Sequence, residues 1–176
     1  MNRVIRKSHA QSSVEVFNLL VSLFTAELVR PSRHLWLVSP WITNVDLIDN
    51  SAGTYPVLSR FGHRPVRLAE IVAVLAANGA KVIVATTSDR RNEAFLHRLR
   101  DLANDLDVVD RVRIVVDPDR KLHAKAVTGD NYALVGSMNI TYNGIHFLQE
   151  DVELKTDPAY VAQARMDADH RFGGLR

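Results

Sequence analysis

The middle of the chain alternates helix and strand patterns, and this alternation restricts the fold more than any other feature. Residues 67–79, "RLAEIVAVLAANG", have the apolar spacing of a helix that ends at a glycine. Residues 80–87, "AKVIVATT", are an almost unbroken apolar run, typical of a strand covered on both faces. A second helix pattern (92–106) and a second strand pattern (111–118) follow. The succession predicts an α/β fold, a sandwich with a central mixed sheet.

The remaining segments fit one domain. Further strands are predicted at residues 34–39 and 150–156, and a last helix at residues 158–172. Residues 49–67 are rich in turn formers and are expected to be irregular. No repeat or linker interrupts the 176 residues. We therefore expect a single domain over residues 1–176, with a helix in residues 1–30 packed on it.

Composition indicates a reducing compartment. The chain has no cysteine, which excludes disulfides and thiolate metal sites and favours the cytoplasm. Polar residues interrupt the apolar N-terminal stretch, so we expect an amphipathic helix and no membrane span. The net charge of +2 says little about partners, but two local clusters are basic. They consist of Arg60, His63, Arg64 and Arg67, and of Arg90, Arg91, Arg98 and Arg100.

Residues 121–141, "KLHAKAVTGDNYALVGSMNIT", concentrate chemically active side chains. His123 and Lys125 are two apart, and so are Ser137 and Asn139, so each pair shares one face of its strand. Gly136 permits close approach of a ligand or backbone. An imidazole, a cation and two neutral donors suit a tetrahedral oxyanion that the imidazole attacks. A metal site is disfavoured because Lys125 would repel the ion, and no cofactor is expected.

This segment resembles the H-x-K motif of the phospholipase D superfamily. "HAKAVTGD" matches H-x-K-x4-D, which includes Asp130, and "GSMN" matches G-S-x-N, which begins at Gly136. Five residues separate Asp130 from Gly136, one fewer than usual in that family. "LWLVSPWIT" and "LAANGAKVIVATT" resemble the family's early strand and its helix-then-strand unit. The resemblance covers roughly residues 35–155 and implies a phospholipase D-like α/β/α sandwich.

The resemblance also implies a mechanism without metal. His123 would attack phosphorus to form a phosphohistidine, while Lys125 and Asn139 bind the phosphoryl oxygens with help from Ser137. A second histidine would protonate the leaving oxygen, yet no other histidine in the chain is followed two residues later by lysine. The sequence therefore predicts a two-fold homodimer with one composite site, as the chain's likeness to small single-motif bacterial endonucleases also implies.

Glu150 is the predicted partner that orients the His123 ring. In "EDVELKT" it shares a strand face with Val152 and Leu154, and an inward carboxylate needs a partner. The family resemblance places a glutamate in this role after the second glycine-rich segment. The alternative is a Glu150 side chain that bends out to solvent.

Four residues are predicted to contact nucleic acid. Trp41 follows a strand end, where it is placed to stack on a base, although a core position is an open alternative. Arg60, Arg64 and Arg67 lie on the long irregular segment and are candidates for backbone phosphates, with plain surface as the alternative.

The resemblance, together with the arginine content of residues 49–67, thus implies a metal-independent phosphodiesterase that acts as a DNA endonuclease. One alternative is a non-catalytic nucleic-acid-binding subunit of a DNA-modification or defence complex, which the shortened turn and the single motif leave open. The stretch "SPWITNVDLIDN" also resembles phospholipase D-like proteins of the DpdK type, which occur in such systems. Such a chain would have further subunits of that system as partners. A second alternative is a phospholipase or phosphatidyl transferase, which the absence of a membrane-binding stretch disfavours.

Overall fold

The computed structural model of the chain describes residues 2–7 and 10–175. The strands are β1 (Asn2–Lys7), β2 (His34–Val38), β3 (Asp46–Asp49), β4 (Pro65–Arg67), β5 (Lys81–Thr87), β6 (Val112–Asp117), β7 (Ala126–Thr128), β8 (Ala133–Gly136) and β9 (Glu150–Lys155). The α-helices are α1 (Ala10–Val29), α2 (Leu68–Ala77), α3 (Glu93–Asp105), α4 (Tyr142–His146) and α5 (Pro158–Phe172).

Seven strands form one mixed sheet in the order β1-β9-β8-β7-β2-β5-β6. Strands β2, β5 and β6 are parallel, and the remaining neighbours pair antiparallel. The carboxyl ends of β2 and β5 therefore meet at one edge of the sheet, where open α/β sheets bind ligands.

Both faces of the central strands are covered. Leu35, Leu37 and Val82 face the larger core, which α1, α2 and α3 complete. Trp36 and Ile83 point to the opposite face and pack in a smaller core with α5. The alternating burial of two apolar faces explains the unbroken apolar run of β5. The predicted α/β/α sandwich with a central mixed sheet is confirmed.

The N-terminal region differs from the predicted helix. Residues 2–7 form β1, an edge strand that pairs antiparallel with β9, and only then does α1 begin at Ala10. The strand escapes pattern-based prediction because Ile5 is buried while Val4 and Arg6 are exposed, so a single apolar contact marks its inner face. Its stability depends on pairing with residues roughly 150 positions away.

Helix α1 is long and apolar. Its segment Ser12–Val29 has the length and composition to cross a membrane. Val16, Leu20 and Phe24 are buried in the larger core, and a core helix of this kind passes the same test of length and composition. The buried carboxylate of Glu27 near its end accepts hydrogen bonds from the backbone and hydroxyl of Ser32.

Residues 46–67 contain more regular structure than the sequence predicts. β3 and β4 form a small antiparallel sheet, and residues 56–61 form a short 3-10 helix packed near α2. Elements of three to six residues are too short for a periodic pattern to reveal them.

Candidate active site

His123 and Lys125 lie immediately before β7, at the edge of the sheet. The sequence predicts a strand from residue 121, which is wrong, because β7 begins only at Ala126. Two features keep the chain out of the sheet until then. Arg120 has a positive φ of 58°, and the Asp117 carboxylate accepts a hydrogen bond from the Leu122 backbone at 2.6 Å. His123 is consequently exposed and Lys125 half-buried.

The two side chains are in direct contact. Lys125 Nζ lies 3.1 Å from His123 Nδ1 and donates to the His123 carbonyl at 2.7 Å. Burial lowers the pKa of Lys125, and the negative charge of Glu150 partly opposes this shift. A protonated lysine only donates, so this contact requires Nδ1 to accept and places the ring proton on Nε2.

Gly136 and Ser137 connect the site to β9. Gly136 has φ +152°, and a Cβ on it would lie 1.9 Å from the Asp151 carbonyl oxygen, so only glycine fits. Ser137 donates a short hydrogen bond to the Glu150 carboxylate and accepts one from the Asp151 backbone at 3.1 Å. The exposed Ser137 hydroxyl is thereby fixed at the site.

Glu150 comes to the site, but its hydrogen bond goes to Ser137. Within the residues that the structure describes, no hydrogen bond joins Glu150 to His123, and Lys125 occupies His123 Nδ1 instead. The predicted bend of Glu150 into bulk solvent is also not seen, because the side chain is half-buried. The orientation of His123 by Glu150 stays a prediction.

Asn139 is buried and is held by a residue that the sequence did not single out, Ser39. The Ser39 hydroxyl lies 3.2 Å from Asn139 Oδ1 and 2.8 Å from the Trp41 carbonyl oxygen, and it accepts from the Ile140 backbone at 3.2 Å. In the described part of the chain, Asn139 Nδ2 has no hydrogen-bond partner, so it is available as a donor. The position of Ser39 after the apolar strand β2 was the only sequence signal.

Asp130 has a structural position in the β7–β8 turn. Its carboxylate forms a short ion pair with Arg165 of α5 and accepts from the Arg33 backbone at 2.8 Å. Burial opposes its charge, but the Arg33 hydrogen bond and the Arg165 guanidinium together hold the pKa of Asp130 below its usual value. The motif aspartate therefore ties the turn to the helix layer.

The three arginines predicted to contact nucleic acid have other partners or none among the described residues. Arg64 binds the buried carboxylate of Glu70 at 2.7 Å, and Arg67 pairs with Asp46 at 3.1 Å. The exposed side chain of Arg60 makes no hydrogen bond or ion pair with any described residue. Arg64 thus contributes to the packing of α2, and among the described residues no hydrogen bond or ion pair joins these arginines to His123 or Lys125, so their contacts with nucleic acid stay a prediction.

The site has the groups for chemistry at a tetrahedral anion. It offers one imidazole, one cation with a lowered pKa, and the neutral donor of Asn139 at the edge of the sheet. Among residues 2–7 and 10–175, no group of three His, Asp or Glu side chains is arranged to hold a metal ion. The available electrostatic stabilisation comes from Lys125 and from amide donors.

No family model matches the sequence, and no curated protein matches it. The structure is similar to NucT from Helicobacter pylori, with a TM-score of 0.62 and 13% identity over 97% of this chain and 94% of that one. It is also similar to Nuc from Salmonella typhimurium, a phospholipase D family member, with a TM-score of 0.62 and 12% identity over 97% and 93%.

A third similar structure is phosphatidylserine synthase from Haemophilus influenzae Rd KW20. Its TM-score is 0.58 and its identity 15%, over 97% of this chain but 37% of that one. At these identities the three likenesses concern the fold, and the roles of side chains rest on the geometry given above.

Proposed function

We propose that this chain, which has the fold of the phospholipase D superfamily, is a metal-independent phosphodiesterase that cleaves DNA. One observation carries the proposal: the imidazole of His123 contacts the Lys125 ammonium at the sheet edge that also presents Ser137 and Asn139. A nucleophile and a cation at this spacing suit attack on a phosphodiester.

The reaction uses two imidazoles in two steps. Nε2 of one His123 attacks phosphorus, so that a P–N bond forms and the bond to the leaving oxygen breaks, while the second imidazole gives that oxygen its proton. Water then attacks the phosphohistidine, the second imidazole takes a proton from the water, and the P–N bond breaks. Lys125 and Asn139 Nδ2 stabilise the negative oxygens in both steps.

The contact of Lys125 with His123 has a consequence for these roles. The nucleophile needs a free Nε2 and its proton on Nδ1, and the acid needs an imidazolium with a proton on each nitrogen, so in both roles the Lys125 ammonium has to leave Nδ1. The Glu150 carboxylate is the nearby acceptor for that Nδ1 proton once it leaves Ser137. The reaction would then use two identical histidines in unlike protonation states, one neutral as the nucleophile and one cationic as the acid.

The second imidazole comes from a second copy of the chain. A two-fold dimer brings the same surface of both copies together, so that each supplies one His123. An exposed apolar patch between Asn139 and Glu150 supports such an interface: Tyr142 is 56%, Phe147 68% and Leu148 48% exposed. A patch of this kind beside the site is expected to be covered in the working assembly.

The same patch favours a second candidate function, hydrolysis or transfer of a phosphatidyl group. Exposed aromatic and aliphatic side chains beside a phosphate site would also suit the acyl part of a lipid. The two functions share the phosphodiester chemistry and differ in what covers the patch.

Cleavage in the presence of EDTA tests the proposal. Wild-type protein and His123→Ala are incubated with single- and double-stranded DNA, and with phosphatidylcholine vesicles. We expect DNA cleavage without metal by the wild type and a loss of about a thousandfold or more in the variant. The control is His97→Ala, because this exposed histidine pairs with Asp101 on α3, outside the candidate site.

Each other outcome has a defined meaning. Cleavage that requires Mg²⁺, or equal activity in wild type and His123→Ala, contradicts the proposal. DNA binding without cleavage by either protein supports the non-catalytic subunit. Release of choline without DNA cleavage supports the phosphatidyl function.

A further inference from the structure

The backbone around Trp41 is held by a buried side chain. Asn92 is 1% exposed; its Nδ2 donates to the Pro40 carbonyl at 3.0 Å, and its Oδ1 accepts from the Ile42 backbone at 2.8 Å. The Thr87 hydroxyl also donates to Pro40 at 2.8 Å. Hydrogen bonds on both sides of Trp41 thus fix where its side chain emerges.

The indole that emerges from this fixed backbone is not part of either core. Trp41 is 36% exposed, whereas Trp36 is fully buried and its Nε1 donates to the Gly173 carbonyl. The Arg91 guanidinium carbon lies 4.1 Å from the centre of the Trp41 ring. Asp89 holds this guanidinium in place, since its carboxylate accepts from Arg91 Nε at 3.1 Å and from the Arg91 backbone at 3.0 Å.

The Trp41–Arg91 stack lies at the same sheet edge as the phosphate-binding groups. The Ser39 hydroxyl contacts both the Trp41 carbonyl oxygen and Asn139 Oδ1, so one side chain links the two places. Arg120, which follows β6, is a further cation nearby. Its guanidinium donates a 3.3 Å hydrogen bond to the carbonyl of Ser88, the residue that follows β5.

From this arrangement we infer that Trp41 and Arg91 form a subsite for an unpaired nucleobase next to the scissile phosphate. The inference rests on the proposed function and narrows its substrate class to single-stranded nucleic acid. A base stacks on an indole or on a guanidinium plane through its flat face, which is available in a single strand. In a duplex both faces of a base are covered by its neighbours, and unstacking it costs free energy.

Binding without cleavage tests the subsite. In a His123→Ala background, tryptophan fluorescence is titrated with oligothymidylate, with an abasic oligonucleotide of equal length and charge, and with a duplex. We expect oligothymidylate to quench the exposed Trp41, to bind more tightly than the abasic strand, and to bind more tightly than the duplex. Trp41→Ala should raise the oligothymidylate Kd by about tenfold and leave the abasic Kd unchanged.

Arg91 provides a second variant and a charge-matched control. Arg91→Ala should weaken the binding of oligothymidylate more than the binding of the abasic strand. Arg90 is an exposed neighbour in the same turn, and Arg90→Ala should weaken the binding of both strands equally. Two results would overturn the subsite. One is that Trp41→Ala loses equal affinity for both strands, and the other is that oligothymidylate binds the His123→Ala protein no more tightly than the abasic strand does.

The outcome is separable from that of the proposed function. The subsite is measured by binding in an inactive background, so it stands or fails whether or not the wild type cleaves DNA. Cleavage of DNA without base-dependent binding would contradict the nucleobase subsite and leave the proposed reaction intact. Base-dependent binding without cleavage by the wild type would contradict the proposed reaction and leave the nucleobase subsite intact.

Discussion

At the scale of single residues, Lys125 shows the conflict between stability and chemistry. Burial lowers its pKa, which means that the charged form is less favourable in the folded state than in the unfolded chain. This destabilisation is fully present below the folded-state pKa and is relieved as the pH rises from that value to the higher unfolded-state pKa. A charge kept at such a cost is typical of a functional group.

Replacement of this cation should therefore separate activity from stability. We expect Lys125→Met to lose about a hundredfold or more in cleavage rate, because the cation no longer stabilises the phosphoryl oxygens. Its melting temperature at neutral pH should not fall below that of the wild type. Lys121→Met is the control, since Lys121 is exposed and paired with Asp119 in the same segment. A melting temperature well below the wild-type value in Lys125→Met would contradict this account.

Sequence patterns found most of the site at this scale. The sequence predicts that His123 and Lys125 share one strand face, whereas the structure brings them into contact on the chain before β7. The partner of Glu150 was beyond prediction, because it depends on the register in which Gly136 faces Val152 across β8 and β9. Ser39 was missed because a serine after an apolar strand is common and forms no spaced motif.

At the scale of elements, the β7–β8 turn is attached to the helix layer through Asp130. Its carboxylate bridges the Arg165 side chain of α5 and the backbone of Arg33 before β2. Three separate elements therefore meet at one charged group. The family motif counts Asp130 among its residues, but these contacts assign it to the fold.

Removal of that charge should lower stability and spare the chemistry. We expect Asp130→Asn to reduce the free energy of unfolding by about 1–3 kcal/mol at pH 7, at the low end because the pair is partly solvated. The pKa of Asp130 is lowered in the folded state, so its contribution is present above the unfolded-state pKa and is lost as the pH falls through the folded-state pKa.

Urea unfolding at pH 7 and in acid measures this difference. The gap between wild type and Asp130→Asn should shrink in acid, and cleavage per folded molecule should remain unchanged. The control is Asp167→Asn, because Asp167 is an exposed carboxylate on α5, the helix that carries Arg165. This variant should neither lower the free energy of unfolding at pH 7 nor change its dependence on pH. An Asp130→Asn protein that is as stable as the wild type but inactive would place Asp130 in the chemistry instead.

Regular elements were predictable where their pattern was local. α2, β5, α3 and β6 lie within a few residues of their predicted bounds, because each has its own apolar period over several residues. β1, β3 and β4 were not predicted. They are short, and their pairing partners rather than their own side chains determine that they form.

At the scale of the whole molecule, the proposed reaction needs two imidazoles, and one chain supplies a single His123 at the sheet edge. Three features support assembly about a two-fold axis. They are the single H-x-K pair, the position of His123 at the sheet edge, and the exposed patch of Tyr142, Phe147 and Leu148. The composite site is the central claim, since without a second His123 the proposed reaction has no acid for the leaving oxygen.

Subunit mixing tests this claim most directly. Wild-type and His123→Ala chains are combined in known ratios, allowed to associate at random, and assayed for DNA cleavage in EDTA. A composite site needs two intact chains, so activity should follow the square of the wild-type fraction, with about one quarter remaining in an equal mixture. Activity that falls in direct proportion to the wild-type fraction, with about one half remaining, would show that each chain works alone and would contradict the composite site.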